Sequence, residues 1–423
     1  MGKVILTITV LIFTSVHSNS QGWFQQTSGT TVNLNSVFFV DANTGYAVGD
    51  STIVYHIILK TTNGGTNWFR QNVQPPNNYP SLKSVFFINA NTGWACGAEA
   101  PTATIWRTTN GGSEWTQLII GAIFGLRSIR FINSSTGVAV GSAYSSAGWI
   151  FRSTNGGINW SQLAGAGNIL HSVYFADAVT GYSCGEPGAI IKTTNAGVNW
   201  VIQTSNTTTS LRSIYFINPQ TGWTVGTNSR VYKTTNGGSQ WADLSSNGLC
   251  GLYSVYFADA STGWVAGCEG SIHRTTNGGA SWQLQSIAST SFLYSLSFIN
   301  SNTGWAVGAN GRILKTTTGG LTPITPISSE VPEDFSLFQN YPNPFNPGTK
   351  IRFAIPNVGT VPRTVRLIIY DALGREITTL VNEQLNPGTY EVDWDASNYP
   401  SGVYFYKLIA DDYTATKKMV LIK

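Results

Sequence analysis

The sequence predicts an all-β protein in which a seven-bladed β-propeller is followed by an antiparallel β-sandwich of immunoglobulin-like type. Two short signatures repeat in a fixed order through residues 23 to 320, and a segment with different motifs follows them. The composition agrees, because the 423 residues include 45 glycines and 14 tryptophans while only 10% are charged. Such a composition is typical of many short strands joined by tight turns.

The first signature is a Thr-Gly turn that leads into an apolar strand, and an aromatic residue follows the glycine in most copies. The seven copies begin at Thr44, Thr92, Thr136, Thr180, Thr221, Thr262 and Thr303. They are 41 to 48 residues apart, which is the length of one four-stranded propeller blade. Seven copies therefore predict seven blades.

The second signature is Thr-Thr-Asn-Gly-Gly-x-x-Trp. It occupies residues 61–68, 108–115, 234–241 and 275–282, and variants end at Trp160 and Trp200. The asparagine side chain can bond the backbone of a tight turn, the glycines accept positive φ, and the tryptophan can pack between sheets. Because turn chemistry explains every residue of this signature, we interpret it as a structural hairpin.

The seventh unit lacks its last strand, because no tryptophan strand follows Gly320. The segment Gly22-Trp23-Phe24-Gln25-Gln26 has the form of such a strand, yet no other strands of a blade precede it. We expect it to complete the last blade, since a ring closed by both ends of the repeat region leaves no bare sheet edge. The propeller is thus predicted to span residues 21–320.

The second signature resembles the Asp-box of sialidase-type propellers. Asparagine replaces the aspartate of that box at Asn63, Asn110, Asn155, Asn195, Asn236 and Asn277. The repeat region as a whole resembles the propellers related to the photosystem II assembly and stability factor. This resemblance implies a propeller of BNR-type repeats and says little about activity, because one fold hosts many functions.

The composition changes after the repeats. Residues 321–334 contain Pro323, Pro326 and Pro332 among serines and threonines, so an extended linker is predicted. Residues 335–423 show short alternating strands, among them 365–370, 388–394 and 402–409, separated by Gly, Pro and Asn turns. This alternation predicts an antiparallel sandwich.

Residues 335–423 also carry motifs similar to those of the type A C-terminal sorting domain of the type IX (Por) secretion system. The motifs are Asn340-Tyr341-Pro342-Asn343-Pro344, Ile369-Tyr370-Asp371 with Gly374-Arg375, Ser401-Gly402-Val403-Tyr404, and Lys417-Lys418 before the apolar end. The resemblance implies the type IX machinery as a partner and export across the outer membrane. It also implies display on the cell surface or secretion, with cleavage in or near the linker.

Residues 1–20 are predicted to be a signal peptide, with Lys3 before an apolar stretch and small residues at Ser18 and Ser20. The apolar stretch is too short to span a bilayer, and no transmembrane segment is expected in the mature chain. The net charge is only +4, without a run of lysines and arginines. Nucleic acid is therefore not expected as a partner.

The four cysteines fall into two kinds. Cys96 and Cys184 occupy the same position in two copies of the repeat and are expected to remain free in separate blades. Cys250 and Cys268 flank a single predicted strand pair, whose antiparallel geometry would bring them together. A disulfide between these two and a pair of free thiols are both compatible with the sequence.

The candidate binding site lies where the loops before each first strand open at one mouth of the central channel. The residue x of the repeat Leu-x-Ser is expected to face that mouth in every blade. These residues are Asn35, Lys83, Arg127, His171, Arg212, Tyr253 and Tyr294. A ring of this composition suits an extracellular protein or glycan ligand, although polar residues also occur at channel mouths merely because water reaches them.

Four carboxylates follow the second strands and are expected around the same mouth: Asp50, Glu99, Glu186 and Glu269. A glycoside hydrolase needs two carboxylates about 5 to 10 Å apart, and Asp50 with Glu99 is the best candidate pair. The Arg-Ile-Pro motif of sialidases is missing, so binding without catalysis is the preferred interpretation. No cofactor is predicted, and His56, His171 and His273 lie in different blades without the spacing of metal ligands.

Overall fold

The structure is a computed structural model that describes residues 22–423, except 53–54, 72–80, 100–101, 121–124, 143–146, 164–166, 247–248, 288–290, 322–323, 329, 359–361 and 397–398. The predicted signal peptide, residues 1–20, lies outside the described residues. Seven four-stranded antiparallel sheets form a propeller, and two further four-stranded sheets form the C-terminal domain. The predicted fold class is therefore confirmed.

The strands are numbered along the chain, beginning with β1 (Gly22–Gln26). Blade 1 comprises β2 (Leu34–Phe39), β3 (Gly45–Thr52), β4 (Tyr55–Thr61) and β5 (Phe69–Arg70). Blade 2 comprises β6 (Ser81–Phe87), β7 (Gly93–Glu99), β8 (Thr102–Thr108) and β9 (Thr116–Ile119). Blade 3 comprises β10 (Gly125–Phe131), β11 (Gly137–Ser142), β12 (Gly148–Ser153) and β13 (Ser161–Gln162). Blade 4 comprises β14 (Leu170–Phe175), β15 (Gly181–Gly185), β16 (Ile190–Thr193) and β17 (Val201–Gln203).

Blade 5 comprises β18 (Leu211–Phe216), β19 (Gly222–Gly226), β20 (Val231–Thr234) and β21 (Ala242–Asp243). Blade 6 comprises β22 (Leu252–Phe257), β23 (Gly263–Gly267), β24 (Ser271–Thr275) and β25 (Gln283–Ile287). Blade 7 comprises β26 (Leu293–Phe298), β27 (Gly304–Gly308), β28 (Ile313–Gly320) and the N-terminal strand β1. Short 3-10 turns, Cys268–Gly270 and Ala309–Gly311, follow the second strands of blades 6 and 7.

Blade 7 is closed by both ends of the repeat region. β1 pairs antiparallel with β28, so that Gln25 lies opposite Leu314. Trp23 is 4% exposed, and its ring meets Phe298 edge to face at 5.7 Å between centroids. The same edge-to-face contact joins Trp68 to Phe39 in blade 1 at 5.8 Å. The N-terminal strand thus packs like the fourth strand of an uninterrupted blade.

The two repeated signatures meet at the seam between neighbouring blades. Trp94, from the Thr-Gly-aromatic signature of blade 2, stacks on Phe131 of blade 3 at 3.4 Å between centroids. Its indole nitrogen donates a hydrogen bond of 3.1 Å to the carbonyl of Gly156, in the box turn of blade 3. Equivalent aromatic stacks join Tyr46 to Phe87, Tyr182 to Phe216, Trp223 to Phe257, Trp264 to Phe298 and Trp305 to Phe39.

The box turn holds itself together through its own side chains. The Thr61 hydroxyl accepts a hydrogen bond from the amide of Gly65 at 2.8 Å, and the Asn63 side-chain oxygen accepts one from the amide of Asn67 at 3.0 Å. Gly64 and Gly65 have φ of 66° and 89°, where a side chain would be strained. These contacts support the interpretation of the box as structural.

Cys250 and Cys268 are joined by a disulfide, with their Cα atoms 5.8 Å apart. The bridge fixes the segment before β22 to the turn after β23. Cys96 and Cys184 are buried and free, in blades 2 and 4. Burial raises the pKa of the Cys184 thiol to about 12, so this thiol remains protonated at neutral pH.

The C-terminal domain is an antiparallel sandwich of two sheets. One sheet has the order β29 (Ile324–Ser328), β34 (Gly388–Asp395), β31 (Gly348–Ile355) and β30 (Ser336–Leu337). The other has the order β33 (Glu376–Leu385), β32 (Arg363–Asp371), β35 (Gly402–Ala410) and β36 (Tyr413–Leu421). Its core is separate from the propeller and is filled by residues such as Ile351, Leu367, Trp394, Tyr406 and Met419.

The segment predicted as a linker, residues 321–334, is partly ordered as a strand. β29 pairs antiparallel with β34, and Ile324 lies opposite Val392. Pro326 is accommodated because β29 is an edge strand, where the missing amide donor of proline leaves no ladder bond unmade. Part of the sequence that suggested a linker therefore belongs to the C-terminal sheet.

Replacing Trp23 by alanine tests the closure of the ring. The Trp23→Ala variant is expected to lose roughly 3 to 5 kcal/mol of unfolding free energy, because a buried indole leaves a cavity in blade 7. Trp68→Ala in blade 1 is the matched control and is expected to cost a similar amount. Chemical denaturation followed by tryptophan fluorescence compares the two. An unchanged unfolding free energy for Trp23→Ala, together with a large loss for Trp68→Ala, would show that β1 does not close the ring.

Candidate functional site

The seven residues predicted to face the channel mouth all line one cavity on the propeller axis. The cavity has a volume of about 430 Å³ and reaches from the mouth to deeper side chains of the same first strands. Its lining includes Asn35, Lys83, Arg127, His171, Arg212, Tyr253 and Tyr294. We refer to these seven residues as the mouth ring.

A β-bulge at the same place in every blade positions the mouth ring. In blade 2 the pairing of β6 with β7 shifts between Leu82 and Ser84, which leaves Lys83 as the extra residue. The corresponding shifts in the other blades leave Asn35, Arg127, His171, Arg212, Tyr253 and Tyr294 as extra residues. A bulge turns its extra residue out of the ladder, and here that direction is the channel.

A ring of serines lies directly behind the mouth ring and joins each blade to the next. The Ser84 hydroxyl accepts a hydrogen bond of 3.3 Å from the amide of Ile129, and Ser128 accepts one of 3.2 Å from Val173. The circle is completed by Ser172, Ser213, Ser254, Ser295 and Ser36, which accept from Ile214, Val255, Leu296, Val37 and Val85. The serine of the Leu-x-Ser repeat is therefore structural.

Asp50 binds the mouth ring from outside the cavity. Its carboxylate accepts hydrogen bonds from Lys83 at 2.9 Å, from Asn35 at 2.8 Å and from Asn33 at 2.9 Å, and it also accepts one from Ser81. Burial raises the pKa of Asp50, but the hydrogen bonds from Ser81, Asn35 and Lys83 outweigh it and hold the pKa far below its usual range. A carboxylate held as an anion in this way cannot serve as a general acid.

His171 and Glu186 form the second acid pair at the mouth. The imidazole Nε2 lies 2.6 Å from the Glu186 carboxylate, which also accepts a hydrogen bond from Ser210 at 3.1 Å. Burial and the nearby Arg127 lower the pKa of His171 to about 4, although pairing with Glu186 acts in the opposite direction. At neutral pH the imidazole is therefore uncharged and donates its Nε2 proton to Glu186.

Two arginines of the mouth ring, Arg127 and Arg212, flank His171 and line the cavity. Burial lowers the pKa of the Arg127 guanidinium, while Glu186 raises it and Arg212 lowers it. The Arg212 guanidinium lies 4.7 Å from the centroid of the Tyr253 ring, which contacts Tyr294 edge to face at 5.3 Å. One arc of the mouth is thus cationic and the adjacent arc is aromatic.

Sequence reasoning missed a second layer of side chains deeper in the channel. In every blade the residue two positions after the ring serine also lines the cavity: Phe38, Phe86, Arg130, Tyr174, Tyr215, Tyr256 and Ser297. We refer to this layer as the channel belt. The repeat itself contains the signal, because this position is aromatic in five of the seven Leu-x-Ser-x-x segments.

The carboxylates of the proposed catalytic pair do not form a described site. The side chain of Glu99 lies outside the described part of the chain, and Asp50 is occupied by the hydrogen bonds given above. Glu269 is exposed on the turn after β23. Among the described residues, no group of three or more His, Cys, Asp or Glu side chains could hold a metal ion.

The sequence matches two known families. Residues 15–167 and 242–317, together more than half of the chain, match the family described as "Photosynthesis system II assembly factor YCF48". Residues 339–423 match the family described as "Secretion system C-terminal sorting domain". No curated protein matches the chain. Within the described residues, no helix is long and apolar enough to cross a membrane.

Several solved structures share the propeller fold. "YCF48 bound to D1 peptide" superposes with a TM-score of 0.60 at 21% identity, over 70% of this chain and 97% of that one. "YCF48 from Cyanidioschyzon merolae" gives a TM-score of 0.56 at 20% identity, over 70% and 98%. The WD40 β-propeller domain of Doa1 gives 0.53 at 10% identity, over 69% and 96%.

The fold and the sorting tail together define an exported propeller protein that uses the type IX secretion system to reach the cell surface or the medium. Within that class, the chain belongs to the YCF48 family of BNR-type propellers. The matched family is described as an assembly factor. The resemblances to the photosystem II assembly factor propellers and to the secretion sorting domain are therefore confirmed.

The buried imidazole at the mouth predicts how stability depends on pH. Since the pKa of His171 is about 4 in the folded chain and about 6.5 when unfolded, the unfolded state binds more protons between these values. Stability should therefore rise as pH increases from about 4 to 6.5. His171→Gln removes this titration and should flatten the profile of melting temperature against pH. An unchanged profile in the variant would contradict the assignment.

Proposed function

We propose that the protein is a non-catalytic binding module, displayed on the cell surface or secreted, that captures a peptide segment of an extracellular protein at the mouth ring. One observation carries the proposal. The described lining of the cavity contains Lys83, Arg127, Arg130 and Arg212 but no aspartate or glutamate. A cavity with this lining attracts an acidic ligand.

The shape and composition of the mouth support a peptide. A volume of about 430 Å³ lies within the usual range for pockets that bind small ligands or single side chains. Arginine and tyrosine side chains are common at the centres of protein-binding surfaces, and Arg212 packed on Tyr253 provides both. A propeller of the same family has been solved with a bound peptide, which supports the same use of the fold here.

Export from the cell argues against the D1 peptide, which is bound in the YCF48 structure, as the ligand of this chain. A sorting domain directs this chain to the outside of the cell, so its partner must be accessible there. A surface glycan would reach the same mouth, and the experiment below distinguishes it from a peptide. A glycoside hydrolase acting through Asp50 and Glu99 is the rival function.

The proposal is tested with peptide and glycan arrays, read for both retention and cleavage products. We expect retention of acidic peptides, no retention of neutral glycans, and no products. Affinity should fall as salt is raised from low to physiological concentration, because the contacts are ionic. Release of sugar products that depended on Asp50 and Glu99 would overturn the proposal in favour of the rival.

Removing two cations identifies the binding face. The double variant Arg127→Ala, Arg212→Ala is expected to lower the affinity for a retained peptide at least tenfold, since charge-assisted hydrogen bonds are the strong ones. Arg70→Ala is the control, because Arg70 is exposed on the outer strand β5. Fluorescence anisotropy with a labelled peptide measures both. Equal affinities for the double variant and the wild type would place the site elsewhere.

A further inference from the structure

Arg130 is the one charged residue of the channel belt and interrupts an otherwise aromatic arc. Phe38 and Phe86 lie on one side of it, with ring centroids 5.1 Å apart. Tyr174, Tyr215 and Tyr256 follow on the other side, at successive centroid distances of 4.7 Å and 4.9 Å. The Arg130 guanidinium lies 5.2 Å from the centroid of Phe86. The guanidinium of Arg130 is therefore a cation inside the channel.

Nothing in the described part of the chain neutralises this charge. No described carboxylate lines the cavity, and none forms an ion pair with Arg130 among the described salt bridges. Its guanidinium makes a cation–π contact with Phe86, but such a contact is weaker than a paired anion. The guanidinium is only partly exposed, and a cation without a counter-ion in a largely apolar layer favours the entry of an anion.

The neighbouring tyrosines provide neutral hydrogen-bond donors. Burial raises the pKa of Tyr174, Tyr215 and Tyr256, so their hydroxyls stay protonated and cannot act as the missing anions. A phenol next to a guanidinium can donate to the oxygen of a bound anion. The layer therefore combines one fixed positive charge with donor groups in an apolar wall.

We propose that the channel belt is a pocket for a single carboxylate of the ligand, which pairs with Arg130 and accepts hydrogen bonds from the tyrosine hydroxyls. This inference rests on the proposed peptide binding and assigns what enters the channel. The mouth ring holds the segment outside, while one acidic group passes the serine ring. The carboxylate belongs either to an aspartate or glutamate side chain or to the carboxyl terminus of the peptide.

The geometry favours a carboxylate over a bulkier anion. The same cavity is lined by the mouth ring and by the channel belt, so the belt is reached from the mouth. A guanidinium matches the two oxygens of a carboxylate in one plane. Aromatic walls on both sides suit a flat group and the short apolar stem that carries it.

Small molecules test the pocket without knowledge of the natural ligand. Glutarate is titrated into the full chain by calorimetry, with neutral glutaramide as its control. We expect binding of glutarate alone and a rise in melting temperature when it is present. Arg130→Met keeps an apolar side chain against Phe86 and should weaken glutarate binding at least tenfold. Arg70→Met is the matched control and should bind glutarate like the wild type.

Two further measurements guard against a misfolded variant. Without ligand, Arg130→Met should melt at the same temperature as the wild type or higher, because it removes an uncompensated charge. Wild-type protein is also tested with peptides retained on the array, each compared with its C-terminal amide and with forms that carry Asp→Asn or Glu→Gln. Loss of affinity on amidation assigns the carboxylate to the terminus, and loss on Asp→Asn or Glu→Gln assigns it to the side chain.

The outcomes separate this inference from the proposed function. Glutarate binding that depends on Arg130, with no peptide retained on the array, would support the carboxylate pocket and overturn peptide binding as the function. Peptide binding that needs Arg127 and Arg212 but tolerates amidation, Asp→Asn, Glu→Gln and Arg130→Met would support the proposed function and overturn the pocket. Equal affinity for glutarate and glutaramide, or for wild type and Arg130→Met, would overturn it as well.

Discussion

The rest of the propeller depends on the contact between the Thr-Gly-aromatic turn of one blade and the box turn of the next. Trp94 illustrates this contact, because its ring stacks on Phe131 and its indole nitrogen donates a hydrogen bond to the carbonyl of Gly156. The turn itself requires glycine, since a Cβ at Gly93 would lie 2.5 Å from the ring of Phe87 in the same blade. Six of the seven seams bury two stacked aromatic rings and satisfy a buried donor, which is how neighbouring sheets hold each other in a closed ring. Val138 takes the aromatic position at the seam between blades 3 and 4.

The closed ring surrounds a central channel, and the bulges in the first strands determine which side chains face it. The serine hydrogen bonds tie each first strand to its neighbour, so the mouth ring and the channel belt are held by backbone rather than by mobile loops. Lys83 is partly neutralised by Asp50, and His171 is uncharged beside Glu186. Arg127, Arg212 and Arg130 keep their charge, and this asymmetry gives the channel one cationic side. Rigid placement of these groups would lower the entropy cost of the proposed binding.

The sorting domain and the propeller are separate parts of the chain. The C-terminal domain has its own core around Trp394 and Tyr406, and it takes β29 from the segment that follows the propeller. The propeller closes on itself through β1 and does not need the second domain to complete any blade. The described part of the segment that matches the sorting domain, residues 339–423, therefore contributes no strand to any blade.

The sequence alone determined the number of blades, the closing strand and the positions of the mouth ring, because each depends on a short motif of residues that are neighbours along the chain. The turn at Asn63 and the bulge at Lys83 each depend on local sequence, and their repetition from blade to blade makes the motifs recognisable. Tertiary structure decided the rest. Asp50 was recognised as a possible catalyst, and only its contact with Lys83 of the next blade showed that it is held as a structural anion. Arg130 lies in the first strand of blade 3, and only the closed ring places it among aromatic rings from other blades. Such contacts join residues that are distant in sequence, so their electrostatics exist only once the ring has closed.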